Sequence, residues 1–168
     1  FGLQKGGLKL MTLYKELKDT RIFFISGPCV LDTQDNANKI AKKVAELRDK
    51  YNVPFIFKAS FDKANRQSVD SYRGIGLERS ADILKKISKE YSLPIITDIH
   101  ESNQAEQMDF ADVIQIPAFL CRQTDLLLAA GKTNKIVNIK KGQFVSAEQM
   151  EDSAKKVIST GNKNVMLT

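Results

Sequence analysis

The stretch of the chain richest in groups that can bind an anion follows an apolar run. Residues 57–66 read Phe-Lys-Ala-Ser-Phe-Asp-Lys-Ala-Asn-Arg, with two lysines, one arginine, one asparagine and one serine. Phosphate oxygens are bound best by a dense set of N–H and O–H donors. The segment therefore predicts a site for a small, multiply charged anion such as a sugar phosphate. A solvent-exposed basic loop is the alternative, since most clusters of Lys and Arg lie on the surface.

Other candidate reactive residues follow apolar runs elsewhere in the chain. Each lies at such a run or just after its end, and the runs have the composition of buried strands. The full set includes Lys58 and Lys63 of the first stretch. In chain order it is Cys29, Lys58, Lys63, Asp98, Gln115, Ala118 and Lys140. The reactive residues of a (β/α)8 barrel gather at the carboxyl ends of its strands. The spacing therefore predicts one site assembled from several strand ends.

Apolar runs and amphipathic segments alternate along the chain. The predicted strands are residues 21–26, 54–60, 94–99, 113–117, 135–140 and 164–168. The predicted helices are one capped by Asp32 or Thr33, one along residues 81–91, a short polar one over 102–109, one over 124–132, and one from a capping box at Ser146–Gln149 to Gly161. Continuously apolar strands separated by single helices indicate parallel pairing, so the predicted class is α/β.

Two α/β architectures compete. A doubly wound sheet usually has a Gly-rich phosphate turn directly after an early strand. The G-x-G motif here, Gly74-Ile75-Gly76, follows no predicted strand directly. We therefore predict a (β/α)8 barrel, of which the chain supplies about the first six strands. A closed barrel needs eight strands, so we expect a longer polypeptide of roughly 250 residues or more.

The composition is that of one globular domain with a modest basic excess. The 168 residues include 26 Lys and Arg against 20 Asp and Glu, a formal net charge of +6, which favours anionic ligands without requiring nucleic acid. No run approaches the roughly 18 apolar residues of a membrane span. Two cysteines do not make a disulfide framework, which predicts a cytoplasmic protein. We divide the chain into a leader and N-terminal extension, residues 1–20, with Met11 as a natural start, and a partial barrel, residues 21–168.

Several ordered segments carry a resemblance to a known family. They are residues 57–66, Ser71-Tyr72-Arg73-Gly74, Thr97-Asp98-Ile99-His100-Glu101, the run Ile114 to Asp125, and Asn138-Ile139-Lys140-Lys141-Gly142-Gln143-Phe144. Together they resemble the 3-deoxy-D-manno-octulosonate 8-phosphate synthases, from about Phe23 to Thr168. The related synthase of the shikimate pathway shares the barrel and the Gly-Pro-Cys turn. It is not expected to carry the Lys-Ala-Asn-Arg and Phe-Leu-Cys-Arg-Gln segments.

The resemblance implies a transferase of lipopolysaccharide biosynthesis. Such enzymes condense phosphoenolpyruvate with arabinose 5-phosphate and release the octulosonate 8-phosphate and inorganic phosphate. The C3 carbon of phosphoenolpyruvate attacks the aldehyde, water adds at C2, and the tetrahedral intermediate loses phosphate. Because two phosphates and a carboxylate share one water-poor pocket, this chemistry needs a high density of cationic groups.

The resemblance also assigns roles to individual positions. The implied catalytic residues, around phosphoenolpyruvate and the reacting centre or near the pentose hydroxyls, are Lys58, Lys63, Lys140 and Asp98. The implied substrate-binding residues are Asn65, Arg66, Gln115, Ala118, Phe119, Arg122 and Gln143. Among them, Asn65 and Arg66 match residues that hold the pentose phosphate. Arg122 matches an arginine that reaches the pentose phosphate of a neighbouring subunit, which implies a homo-oligomer, expected to be a tetramer.

Cys29 separates two classes within the resembling family. Metal-dependent members have Cys at this position, whereas metal-independent members have Asn. The resemblance therefore implies a divalent metal, either Zn, Fe, Mn or Co, with Cys29 as one ligand. The remaining ligands expected of the family, a His, a Glu and an Asp, would lie beyond Thr168.

Less specific interpretations stay open for several of these features. Asp98 could cap the following helix, Lys140 and Lys141 could be a solvated pair, His100 could form only local hydrogen bonds, and Cys121 is most simply a packed thiol. An RNA- or DNA-binding module would need aromatic residues interleaved with basic ones on an exposed face, but the phenylalanines fall in apolar strands. Two further alternatives are a synthase of the shikimate type and an inactive, truncated copy.

Overall fold

The computed structural model describes residues 3–168, and describes side chains from residue 10 onward. Phe1 and Gly2, which belong to the predicted leader, lie outside the described residues. The chain forms two compact units. One consists of residues 21–97, and the other combines residues 98–168 with the N-terminal residues up to Thr20.

Strands and helices alternate along the described residues. The strands are β1 Phe24–Ser26, β2 Phe55–Lys58, β3 Ile95–Asp98, β4 Val113–Ile116, β5 Ile136–Ile139 and β6 Val165–Leu167. The α-helices are α1 Leu3–Asp19, α2 Gln34–Tyr51, α3 Leu77–Tyr91, α4 Thr124–Lys132 and α5 Met150–Ile158. Short 3-10 helices cover Ser102–Gln107 and Ala118–Leu120.

The strands pair in parallel and follow one another in chain order. In residues 21–97, β1 pairs with β2 and β2 pairs with β3. In the other unit, β4 pairs with β5 and β5 with β6, and the register places Gln115 opposite Asn138. The strand order is β1-β2-β3-β4-β5-β6. Parallel strands in this order, alternating with helices, confirm the α/β class and the prediction of a partial (β/α)8 barrel.

The strands are shorter than the apolar runs that predicted them. Residues 21–26 were expected in the first strand, but β1 begins at Phe24. Phe24 is where the ladder starts, because its N–H donates to the carbonyl of Pro54 at 3.0 Å. Arg21 and Ile22 lie before that first bond and are exposed. The apolar run therefore includes residues that only lead into the sheet.

Helix α2 begins where its capping residues predict. The Thr33 hydroxyl accepts a hydrogen bond from the backbone N–H of Asn36 at 3.2 Å, so Thr33 is the N-cap. Asp32 accepts bonds from the Asn36 side chain and from the Thr33 N–H, and these bonds lower the pKa of its carboxyl below the usual value. The helix ends at Asn52, which adopts a left-handed conformation with φ 49°.

The last predicted helix begins later than its capping box. Both box hydrogen bonds are present, from Ser146 N–H to Gln149 Oε1 at 2.9 Å and from Gln149 N–H to Ser146 Oγ at 3.3 Å. However, the box closes a turn, and α5 itself starts at Met150. The predicted stop is confirmed, because Gly161 lies just beyond α5 with φ +91° and donates to the carbonyl of Ile158.

The N-terminal helix packs on the unit formed by residues 98–168. Leu13 and Leu17 of α1 are buried, and the Tyr14 hydroxyl donates to the carbonyl of Val165 at 3.1 Å. Val165 is the first residue of β6, so α1 is fixed at the amino end of that strand. No helix among the described residues is both long and apolar enough to cross a lipid bilayer.

Asn162 connects three segments of the same unit, and its loss should destabilise the fold. Its buried side chain donates to the carbonyls of Gly131 and Lys135 and accepts from the Asn164 N–H. We expect Asn162→Ala to lower the free energy of unfolding by about 2–3 kcal/mol, because it removes three hydrogen bonds made by a buried side chain. Urea denaturation measures this, and Asn164→Ala, which keeps the backbone bond, is the control. Equal unfolding midpoints for the two variants would contradict the assignment.

Candidate active site

Two lysines of the anion-binding stretch share one buried hydroxyl. Lys58 is the last residue of β2, and Lys63 lies in the loop that follows. The Nζ atoms of both donate to Ser60 Oγ, each at 2.8 Å, and Ser60 is fully buried. Ser60 therefore holds two positive charges side by side. Such a pair attracts an anion with several charged oxygens, such as a phosphate or carboxylate.

The Gly-Pro-Cys turn after β1 lies against this lysine-bearing strand end. A Cβ atom on Gly27 would be 2.1 Å from the carbonyl oxygen of Lys58, so only glycine permits this approach. The two segments stay paired beyond this point, because the Leu31 N–H donates to the carbonyl of Ser60 at 3.0 Å. Cys29 lies within the turn, and its thiol is free and exposed. Its exposure leaves it accessible to a ligand.

The loop that carries Asn65 and Arg66 is closed at its base. Arg73 donates to both carboxylate oxygens of Asp62, with Nε 2.7 Å from Oδ1, and this pairing raises the pKa of the Arg73 guanidinium. The Lys63 N–H also donates to the carbonyl of Arg73 at 2.8 Å. At a partly exposed position, a bidentate ion pair adds little stability, but its two bonds constrain the geometry of the groups that it joins. These bonds therefore fix the two ends of the loop that carries Asn65 and Arg66.

Asn65 and Arg66 lie exposed at the tip of this loop. The Arg66 Nε–H donates to the carbonyl of Tyr72 at 3.2 Å. The Tyr72 hydroxyl in turn donates to the carbonyl of Leu31 at 3.0 Å. The guanidinium is thus tethered within its own loop while remaining open to solvent, as a phosphate-binding arginine requires.

Asp98 and His100 form a buried pair in the other unit. Asp98 Oδ2 lies 3.3 Å from His100 Nε2, and both side chains are 7% exposed. The 3-10 helix that follows is capped by Glu101, whose side chain accepts the N3 backbone bond, so Asp98 is not the cap. The His100 backbone N–H donates to Gln104 Oε1 at 2.7 Å, and the absence of a chemical role for its imidazole stays a prediction. An aspartate held by an imidazole at a strand end can orient or exchange a proton.

Gln115 on β4 lies in a row of polar side chains that continues onto β5. Asn138 is fully buried, and its Nδ2 donates to Gln115 Oε1 at 3.3 Å and to Thr168 Oγ1 at 3.2 Å. The N–H of Ile99, directly after β3, donates to the carbonyl of Gln115. Gln115 is therefore fixed through both its backbone and its side chain.

The two lysines after β5 have different environments. Lys141 folds its ammonium group back onto its own loop, where it donates to the carbonyls of Gly142 and Val145 at 2.8 and 3.0 Å. Lys140 is exposed, and its backbone N–H extends the ladder to the carbonyl of Ile116. Both lysines are exposed, Lys141 has partners in its own loop, and the ligand-binding role of Lys140 stays a prediction. Gln143, two residues further on, is also exposed.

The segment after β4 carries three of the predicted substrate-binding residues. Ala118 and Phe119 form a 3-10 helix, and Arg122 follows it with an exposed side chain. Hydrogen bonds from α5 hold the backbone here, from Ser153 Oγ to the carbonyl of Cys121 at 2.6 Å and from Lys156 Nζ to the carbonyl of Arg122. Cys121 is fully buried, which confirms the prediction of a packed thiol.

The same segment contacts the loop that carries Gly142. A Cβ atom on Gly142 would lie 2.9 Å from Cys121 Sγ and 3.0 Å from the carbonyl oxygen of Ala118. The loops after β4 and β5 are therefore in close contact. This contact places Ala118 near the segment that begins with Lys140.

The described residues do not by themselves form a metal centre. No group of three or more His, Cys, Asp or Glu side chains suited to a metal ion occurs among them. One thiolate is a single ligand, whereas protein zinc sites use four ligands, at least three of them from the protein. Cys29 can therefore serve only as one donor of a set that is not found in residues 10–168.

Two residues that hold candidate functional side chains, one in each unit, were missed by sequence reasoning. Ser60 was noted only as one donor among several, although a serine between two lysines at a strand end was a usable signal. Asn138 was not singled out, although a lone amide within the apolar strand Ile136–Ile139 is unusual in a buried position. Both residues matter through their hydrogen bonds, Ser60 to Lys58 and Lys63, and Asn138 to Gln115.

A groove of about 740 Å³ lies between Ser102–Gln107 and α4. Its walls carry both acidic and basic side chains, including Glu106, Asp125 and Lys132. None of the residues predicted for catalysis or binding lines it.

Comparison with known proteins gives a consistent result. The chain matches the sequence profile of the DAHP synthetase I family over residues 14–168. It is 50% identical over 157 residues to 2-dehydro-3-deoxyphosphooctonate aldolase 1 of Arabidopsis thaliana, an alignment that covers 92% of this chain and 54% of that protein. It is 52% identical over 141 residues to 2-dehydro-3-deoxyphosphooctonate aldolase of Campylobacter jejuni subsp. doylei, covering 83% and 53%. The chain spans about half the length of the curated relatives it matches.

Proposed function

The chain belongs to the DAHP synthetase I family, and on that premise we propose that it condenses phosphoenolpyruvate with arabinose 5-phosphate. The products are 3-deoxy-D-manno-octulosonate 8-phosphate and inorganic phosphate. The pair of lysines joined by Ser60 is the observation that carries the proposal. The names of the similar proteins, 2-dehydro-3-deoxyphosphooctonate aldolases, support this substrate pair.

Lys58 and Lys63 are proposed to neutralise phosphoenolpyruvate. This substrate carries a phosphate and a carboxylate, so it needs more than one cation within a short distance. The Ser60 hydroxyl holds two ammonium groups together before any ligand arrives. Preorganised charge of this kind stabilises the transition state, because little reorganisation is needed during the reaction.

Asn65 and Arg66 are proposed to hold the phosphate of arabinose 5-phosphate. They lie on an exposed loop tip whose base is fixed by Asp62 and Arg73. Binding energy from a phosphate remote from the reacting carbon can orient the aldehyde. Asp98 is proposed to act on the pentose hydroxyls, with His100 holding its carboxylate.

Gln115, Ala118, Phe119, Lys140 and Gln143 are proposed to line the pocket for phosphoenolpyruvate. The hydrogen bond from Asn138 fixes the side chain of Gln115, and Lys140 lies at the end of the neighbouring strand. An ammonium group at this place would stabilise negative charge on the carboxylate or phosphate.

The proposed reaction forms one carbon–carbon bond and one carbon–oxygen bond, the latter to water, and breaks the carbon–oxygen bond to phosphate. The C3 carbon of phosphoenolpyruvate bonds to the aldehyde carbon, whose oxygen takes up a proton and becomes a hydroxyl. Water adds at C2, losing a proton, and the resulting tetrahedral intermediate expels inorganic phosphate to leave a ketone. Negative charge concentrates on the phosphate as it leaves, and cationic side chains near it lower the barrier.

Release of phosphate tests the proposed function. The protein from the full open reading frame is incubated with phosphoenolpyruvate, with arabinose 5-phosphate, or with both. We expect phosphate release only with both, because the carbon–oxygen bond breaks after condensation. Equal release without the pentose phosphate would indicate a phosphatase, and no release in any mixture would indicate an inactive copy.

A synthase of the shikimate type is the second candidate, because the matching family profile carries that name. Its seven-carbon product requires a four-carbon aldose phosphate, such as erythrose 4-phosphate, in place of the pentose. The Lys-Ala-Asn-Arg segment favours the pentose, since it is expected only in the octulosonate synthases. Replacing arabinose 5-phosphate by erythrose 4-phosphate in the same assay separates the two.

We further propose that the enzyme uses a divalent metal, Zn, Fe, Mn or Co, with Cys29 as one ligand. The thiol is exposed beside the lysine-bearing strand end, where a ligand can reach it. A homotetramer is proposed because Arg122, which by resemblance serves a neighbouring subunit, is exposed. Free thiols at both cysteines agree with a cytoplasmic location.

A further inference from the structure

Asn138 is a buried amide in a strand that is otherwise apolar. Its neighbours in β5 are Ile136, Val137 and Ile139, and all four residues are fully buried. The Nδ2 group uses its two hydrogens on Gln115 Oε1 and Thr168 Oγ1. Its Oδ1 is buried and has no hydrogen-bond partner among the described residues.

Stability alone does not account for an asparagine here. A buried carbonyl oxygen without a donor destabilises the folded state, and an apolar residue of similar size avoids that penalty. Leucine would also continue the apolar pattern of the strand. The amide must therefore be explained by what its two donated bonds do.

The bond to Gln115 fixes which end of the Gln115 side chain is available. A glutamine amide can rotate by half a turn and present either its oxygen or its NH2 group. Because Gln115 Oε1 accepts from Asn138, its Nε2 group is the end left to bind a ligand. That end donates hydrogen bonds, as an anionic ligand requires, whereas the opposite end would repel an anion.

Thr168 fixes Asn138 from the other side. The Thr168 backbone N–H donates to the carbonyl of Ile139, and the Lys141 N–H donates to the carbonyl of Thr168. The Thr168 hydroxyl, which accepts the second Nδ2 hydrogen, is therefore held by the end of the β5–β6 ladder. Successive side chains of a strand point to opposite faces. Asn138 and Lys140 are therefore expected on one face of this strand.

We propose that Asn138 is a positioning residue, which holds the Gln115 amide with its NH2 group directed at phosphoenolpyruvate. The inference rests on the proposed function, since it takes Gln115 as a contact of that substrate. Asn138 itself does not need to touch the substrate. Its role is to prevent the Gln115 amide from rotating by half a turn and presenting its oxygen to the substrate.

Asn138→Leu in the full-length protein tests this role. We expect the KM for phosphoenolpyruvate to rise about tenfold, the size of losing one hydrogen bond to a charged group, with kcat changed less than about twofold, because a ground-state contact affects KM. Thermal stability should be equal or higher. The same replacement at Asn164, at the amino end of β6, is the matched control and should leave the KM unchanged.

A double-mutant cycle with Gln115→Met separates positioning from general disturbance of the fold. If Asn138 acts through Gln115, adding Asn138→Leu to Gln115→Met should raise the KM no further. An unchanged KM in Asn138→Leu, or effects that multiply in the double variant, would overturn the proposal. If Asn138→Leu does not fold, Asn138→Ala is measured in the same cycle with the same criteria.

The wild-type measurement distinguishes failure of this inference from failure of the proposed function. A wild type that neither binds nor consumes phosphoenolpyruvate overturns both. An active wild type with an unaffected Asn138→Leu variant overturns the positioning role alone.

Discussion

Replacing Lys63 by Met in the full-length protein should lower kcat/KM for phosphoenolpyruvate by at least about 100-fold. One preorganised charge contact to a developing anion is worth about 2.7–4 kcal/mol in the transition state. Lys63 shares the Ser60 hydroxyl with Lys58, so methionine removes one of two adjacent charges and keeps an unbranched side chain one atom shorter. Steady-state phosphate release measures the effect, and we expect the same loss for Lys58→Met and Lys140→Met.

A surface lysine provides the control for this series. Lys42 is exposed on α2, and the same change to methionine there should leave kcat/KM within about twofold of wild type, as expected for a surface substitution without a specific role. Lys141→Met provides a second comparison, because that ammonium group binds its own loop. Activity close to wild type in Lys140→Met would contradict its assignment, and a loss as large in Lys42→Met would indicate an unspecific charge effect.

Removing divalent metal should abolish activity almost completely. The expectation follows from Cys29, since Cys at this position is the mark of metal-dependent members in the resembling family. Chelation with EDTA should remove the activity, and Zn, Fe, Mn or Co ions should restore it. Metal affinity should fall as the pH is lowered, because a ligating thiolate must lose its proton. Full activity after exhaustive chelation would place the protein in the metal-independent class.

The second cysteine gives a matched control for the metal. Cys29→Ala should lower the metal content measured by mass spectrometry of the purified protein, because it deletes a proposed ligand. Cys121→Ala should keep the metal, since that thiol is fully buried against Gly142. Equal metal content in both variants would remove Cys29 from the proposed ligand set.

Local sequence patterns predicted the strands and the α-helices from α2 onward, but not α1, which lies in the segment predicted as a leader and extension. Apolar runs located all six strands, and the Thr33 hydroxyl caps α2 as its position before the helix suggested. These features depend on neighbours within a few residues, which a sequence displays directly. The capping box at Ser146–Gln149 shows the limit of this reasoning. Its two bonds form as predicted, yet they close a turn, and α5 begins one residue later.

Contacts between distant residues could not be predicted in the same way. Which end of the Gln115 amide is engaged depends on Asn138, 23 residues away, and on the parallel register of β4 and β5. The pairing of Asp62 with Arg73 likewise depends on how the loop closes. The position of Lys58 at a strand end was predictable from the sequence. Its sharing of a buried hydroxyl with Lys63 was not, because that depends on the burial of Ser60.

The choice between a pentose and a four-carbon acceptor tests the central claim most directly. The full-length protein is given phosphoenolpyruvate with equal concentrations of arabinose 5-phosphate and erythrose 4-phosphate, and the products are identified by mass spectrometry. We predict an eight-carbon 2-keto acid phosphate, formed in equal amount to the released phosphate. A seven-carbon product in excess, or phosphate released without any new carbon–carbon bond, would contradict the account.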